Sequence, residues 1–172
     1  MALLAEELVE EWLNRQGYFT IRGIKLGVNE IDLLAIRCSH GKIECRHIEV
    51  QASVNPVSYI TKVPKEVSKS TGRASTSAKT RGIQELEIGV AEWVTKKFDN
   101  PRKVKIRNSL AYGEWTRELV INKVKHPEEI DLIKSKGVTI HNLDKIVAEL
   151  KSQKLKLEGA SGTHLVQLIT IA

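Results

Sequence analysis

Cysteine is scarce in this sequence: Cys38 and Cys45 are the only two among 172 residues. Two thiols make no disulfide framework, and a cytoplasmic protein is expected to keep them reduced. Long hydrophobic runs are missing as well. No stretch reaches the roughly 18 apolar residues that a membrane span needs, so no membrane partner is expected. The first residues, MALLAEELVEEWL, carry acids at once and no basic leader, so no secretory signal is expected and the cytoplasm is the expected compartment. Phosphate-cradling glycine loops, dinucleotide fingerprints and nucleophile elbows are absent too.

What is present is an ordinary globular composition, 41% hydrophobic and 28% charged, with a basic balance of +6. Such a balance favours a polyanionic partner. The charge is unevenly spread. Glu6, Glu7, Glu10 and Glu11 crowd the start. Six basic residues, Lys62, Lys65, Lys69, Arg73, Lys79 and Arg81, face one acid, Glu66, in a Ser/Thr-rich stretch. That stretch reads as an exposed loop or partly helical flap whose cations contact nucleic-acid phosphates.

Periodicity orders the rest. Leu4, Leu8, Val9, Trp12 and Leu13 recur at helical spacing and predict a helix over 2–16, ended by Gly17. Strands are predicted over 18–23, 29–38 and 43–52, the last two joined by the turn SHGK. A helix follows over 83–98. Residues 100–110 are open: Asn100-Pro101 suits a helix start, whereas Val104 and Ile106 alternate like a strand. Then come a strand at 118–124, a helix at 127–135, the strand VTIHNL and a helix over 143–153. A last apolar segment favours a helix capped by Ser161 or Thr163. This order predicts a single α/β domain over 1–172, a three-layer fold with a mixed central sheet flanked by helices. A basic loop at 62–82 and a C-terminal appendage at 154–172 complete it.

Two strand carboxylates stand out. Asp32 and Glu49 lie inside apolar runs, where a carboxylate is costly to bury. If Cys38 pairs with Cys45, then Leu34 opposes Glu49 and Asp32 opposes Gln51. Asp32, Glu49 and Gln51 then share one face of the hairpin. Two acids so close need a shared proton, a basic partner or a metal ion. Hard oxygen ligands suit Mg²⁺ or Mn²⁺. The bland reading is a pair of acids satisfied by Lys or Arg of the fold.

The stretches NEIDLLAI and HIEVQ resemble the signature of the PD-(D/E)xK nuclease superfamily, and EELVEEWLNRQGYF is similar to the leading helix of its archaeal Holliday-junction resolvase branch, with Glu6 eleven residues before Gly17. The resemblance implies a restriction-endonuclease-like fold and Mg²⁺-dependent hydrolysis of DNA phosphodiesters, commonly by a homodimer. It implies that Asp32, Glu49 and the Val50 carbonyl hold the metal and that Glu6 assists. Gln51 stands where the family has lysine. Glutamine orients water by hydrogen bonds but supplies no charge and no base. Either Gln51 suffices, or a lysine such as Lys62, Lys65 or Lys79 replaces the missing one, or the site is weak or dead. The alternative function is a nuclease-fold DNA-binding module without activity, or a subunit of a repair or defence assembly; RNA remains open beside DNA.

Cys38, His40, Cys45 and His47 invite a zinc reading, but the spacing is not that of a knuckle; small core cysteines are the expectation. Trp12, Trp93 and Trp115 are expected in the core or a dimer interface, and His126 and His141 in structural or surface positions.

Overall fold

The structure is a computed structural model that describes residues 2–53 and 55–152. The expected appendage at 154–172, and the helix placed in it, lie outside these residues. Eleven elements follow in order: α1 (Ala2–Arg15), β1 (Phe19–Leu26), β2 (Asn29–Ser39), β3 (Lys42–Gln51), α2 (Lys65–Thr71), α3 (Ile83–Lys97), α4 (Pro101–Leu110), β4 (Trp115–Ile121), α5 (Pro127–Ser135), β5 (Val138–Asn142) and α6 (Leu143–Lys151).

The five strands form one mixed sheet in the order β1-β2-β3-β4-β5. β1, β2 and β3 are an antiparallel meander; β4 and β5 add in parallel. Helices cover both faces, as the α/β reading anticipates. On one face α1 and α6 bury Val9, Leu13, Ile146 and Leu150 against Leu33, Ile48 and Val120. On the other, α3 and α5 bury Val90, Val94 and Ile133 against Leu119 and Ile121.

The β2–β3 turn sets the register. His40 and Gly41 both have positive φ, 51° and 74°, and Ser39 pairs with Lys42. This is a two-residue turn whose twist matches its strands. It places Ile36, not Cys38, opposite Cys45. The pairing is therefore two residues away from the expected one. An even shift preserves the faces, so Asp32, Glu49 and Gln51 stay on one side. The β2–β3 ladder ends at Leu33–Ile48, and just beyond it the Asp32 side chain takes the Val50 N–H beside Glu49.

Residues 101–110 are a helix. The Asn100 side chain accepts the Arg102 N–H at 3.0 Å, and Pro101 occupies the first turn. The basic segment is partly helical through α2 and is tied down at its base. Glu129 of α5, 1% exposed, accepts N–H groups of Ile60 and Thr61 at 2.7 and 3.0 Å. Gly89 of α3 passes against the same loop: a Cβ there would meet Thr61 Oγ1 at 3.1 Å and the Lys62 carbonyl at 3.2 Å. Thr61 is held there by its N–H and hydroxyl, both donating to Glu129. Gly89→Val is expected to lower stability by about 1–3 kcal/mol, read as a shifted urea midpoint.

Candidate active site

Asp32 and Glu49 meet on the face covered by α3 and α4. Asp32 Oδ2 accepts the Val50 N–H at 2.8 Å, which ties β2 to β3 through a side chain. Glu49 is 1% exposed. Its Oε1 accepts from Lys103 Nζ at 2.7 Å and from His47 Nε2 at 3.0 Å, and its Oε2 from Lys97 Nζ at 2.5 Å. Arg107 Nη1 lies 3.0 Å from His47 Nδ1. A guanidinium only donates, so Nδ1 accepts and Nε2 carries the proton given to Glu49. His47 is held neutral by burial, which pushes its pKa down.

The two carboxyls are driven apart. Burial and the charge of Glu49 raise Asp32 to about 7. Burial pushes Glu49 up, but the His47 hydrogen bond and the Lys97 and Lys103 charges outweigh it and hold it at about 2. Lys97 is lowered by burial and raised more by Glu49, Asp32 and Glu30. Glu6, on α1, is raised by burial and by Glu30 and Glu49, and it senses Lys97. Its neighbours Glu7 and Glu10 pair with Arg22 at 3.3 and 3.0 Å. Four carboxylates, Glu6, Glu30, Asp32 and Glu49, therefore share a field with the ammonium groups of Lys97 and Lys103 and the guanidinium of Arg22.

The sequence-predicted residues fare differently. Glu6, Asp32, Glu49 and the Val50 backbone gather at one end of the sheet. Gln51 faces the same side, but its amide donates to the Ile60 carbonyl at 3.1 Å and so holds the start of the crossover loop. The lysines that reach Glu49 come from α3 and α4, not from Lys62, Lys65 or Lys79, which are exposed in or beside the basic segment. Lys69 is exposed as well, and Arg73 is half-buried against Glu85 at 2.9 Å. Arg81 corrects the expectation of a phosphate contact. It is buried, lies 4.0 Å over the Tyr59 ring and donates to the Thr61 carbonyl at 3.0 Å.

The bland reading of the acids is thus realised for Glu49, which is paired with lysines of the fold. Among the described residues, no group of three or more His, Cys, Asp and Glu is arranged to hold a metal ion. The zinc reading also lacks its ligands: both His47 nitrogens are engaged, by Glu49 and Arg107, and Cys38 is exposed while Cys45 is buried. Cys45 is buried as expected, but Cys38 is exposed, because the two-residue turn carries it to the uncovered end of the hairpin. Trp12, Trp93 and Trp115 are all buried. His126 stacks on Tyr59, and His141 bonds Glu118 at 2.6 Å.

Lys97, Lys103 and Arg107 are the residues that sequence reasoning missed, and His47 was weighed there only as a zinc ligand. One signal was available. Helix α4, PRKVKIRNSL, has few apolar residues, yet it lies between a buried helix and a buried strand. Lys103 and Arg107 stand four apart on one face, and a helix that must bury such a face needs an acid beneath it.

Fold and site together define an α/β three-layer protein with a buried carboxylate, Glu49, beside a half-buried one, Asp32, at the end of its sheet. No protein-family model matches the chain, and no curated protein does. A solved structure, that of AF1548, a protein of unknown function, is similar at 13% identity and a TM-score of 0.49, over 99% of this chain and 79% of that one.

Proposed function

We propose that the chain is a metal-dependent endonuclease of the PD-(D/E)xK type, hydrolysing DNA phosphodiesters, in which Lys97 takes the place of the lysine that Gln51 lacks. The observation that carries this reading is the ammonium of Lys97, 2.5 Å from Glu49 Oε2, beside an Asp32 held near neutrality. Lysine at a strand position and lysine from a facing helix deliver the same group to the same carboxylate.

The protonation of Asp32 supports a divalent cation at this place. A carboxyl raised to about 7 by burial and by its neighbour retains a proton that a cation would replace. Asp32, Glu49 and the Val50 carbonyl would hold Mg²⁺ or Mn²⁺, with Glu6 assisting. The ion would supply an activated water and charge stabilisation at the phosphate. Lys97, 28% exposed along its side chain, is free to leave Glu49, offset phosphate charge and orient the water. Lys103, 2% exposed, stays with Glu49 and keeps it ionised. Lys62, Lys65, Lys69 and Lys79, with Arg73 at their edge, would follow the DNA backbone. A homodimer would present two such sites to two strands.

A second reading has its own observation: both Glu49 oxygens are already engaged by the protein's own donors. That suits a nuclease-fold module that binds nucleic acid without cutting it.

Supercoiled, branched and single-stranded DNA, incubated with Mg²⁺, Mn²⁺ or EDTA, separates the two. Cleavage that EDTA abolishes is expected. Lys97→Met is expected to lower kcat by about 10²–10⁴ without unfolding the protein, and adding Gln51→Lys to that variant is expected to restore part of the loss. Binding without cleavage of any substrate overturns the nuclease reading. Undiminished cleavage by Lys97→Met overturns the role of Lys97.

A further inference from the structure

The turn between β1 and β2 is built in an unusual way. Leu26 pairs with Asn29, so Gly27 and Val28 form a two-residue loop, and Gly27 has φ 68°. A positive φ at the first loop position is what glycine is suited to. The second position carries valine, 98% exposed. Polar residues serve such a tip better, and no packing in the fold calls for an apolar one. Hairpin and site are continuous: β2 starts at Asn29, directly after Val28, and reaches Asp32 four residues beyond the tip, about 13 Å of extended chain.

The tip is also flanked by positive charge. A Cβ on Gly27 would lie 3.5 Å from Arg102 Nη1, so the first turn of α4 brings a guanidinium to the hairpin. Lys25 and Lys105 are exposed on the neighbouring strand and helix. The same α4 supplies Lys103 to Glu49. Glu30 is exposed opposite Lys25, so the cations left for a partner at the tip are Arg102 and Lys105, and an apolar point beside them, rooted in the strand that bears Asp32, is complementary to a nucleic-acid strand. Cations meet phosphates, and an apolar wedge meets base faces where stacking is broken.

We infer that the β1–β2 hairpin tip is a substrate wedge: Val28 contacts unstacked bases close to the scissile phosphate, while Arg102 holds an adjoining phosphate. The inference rests on the nuclease reading and deepens it, because it selects DNA with unpaired or easily unstacked bases near the cut.

The test uses branched DNA carrying 2-aminopurine at successive positions around the cleavage point mapped with the wild-type protein. The DNA is bound by Asp32→Asn protein in Mn²⁺. Emission is expected to rise at one or two positions, and Val28→Ser is expected to remove most of that rise. Val28 is fully in water, so its replacement leaves the fold intact. Arg102→Ala is expected to weaken binding and to reduce the slope of log affinity against log salt by about one unit. Unchanged emission with Val28→Ser, or no rise at any position although the wild type cleaves, overturns the wedge and leaves the nuclease reading standing. Failure of the wild type to bind or cleave any DNA overturns both.

Discussion

Asp32→Asn is expected to make the protein more stable at pH 8 and unable to cleave. In the folded state the Asp32 carboxyl is raised by burial and by Glu49 to about 7, from an ordinary value of 3.8. Between those values the folded chain binds a proton that the unfolded chain has released. Stability therefore falls as pH rises from about 4 to about 7, and the loss is complete above that. Glu49 works in the opposite sense: lowered to about 2, it contributes stability above pH 4.5 that is lost as pH falls through 2. Asparagine keeps an oxygen for the Val50 N–H and turns an amide toward Glu49, so the repulsion disappears. Urea midpoints without metal should show the variant more stable at pH 8, by at most about 4 kcal/mol for a carboxyl raised from 3.8 to about 7 at 1.36 kcal/mol per pKa unit, with the advantage shrinking as pH falls and gone below about pH 4. Mn²⁺ should raise the wild-type Tm and leave that of the variant unmoved. A variant no more stable than wild type at pH 8 would mean that Asp32 is not held under electrostatic strain.

How much of this was readable beforehand depends on the range of each interaction. The hairpin was local: His40-Gly41 specifies its turn, and period-two alternation puts Asp32, Glu49 and Gln51 on one face under any even register. The register itself was missed by two residues, because the apolar pattern is satisfied equally at both. The lysines on Glu49 were not readable from the strands at all. Lys97 and Lys103 lie 48 and 54 residues beyond it and arrive only when α3 and α4 fold back over the sheet. Composition likewise could not separate exposed cations from committed ones. Arg81 ends the same basic run as Lys79, yet Tyr59 and the Thr61 carbonyl withdraw it from solvent while Lys79 stays in water.

Glu49→Ala is expected to cost far more stability than any other change at the site, and for a reason separate from catalysis. Lys103 is 1% exposed, and burial already pushes its pKa down. Its ammonium donates to Glu49 Oε1 at 2.7 Å, and His47 donates to the same oxygen. Removing that carboxylate strands a buried charge and leaves a buried imidazole N–H without its acceptor. Breaking a buried pair from one side costs about 3–5 kcal/mol, a large part of the 5–15 kcal/mol that holds a domain together. Lys97 adds little to this cost, because its partly exposed ammonium can turn to water. The double variant Glu49→Ala/Lys103→Met should recover most of the loss, since it removes both members of the pair and fills the space with an apolar chain. Guanidinium denaturation of wild type and the two variants measures the difference. A loss below about 1 kcal/mol in Glu49→Ala would mean that Lys103 reaches solvent or another acid. If the expected loss is found, the failure of Glu49→Ala to cleave DNA cannot be assigned to chemistry, and the double variant becomes the sound test of Glu49 in the reaction.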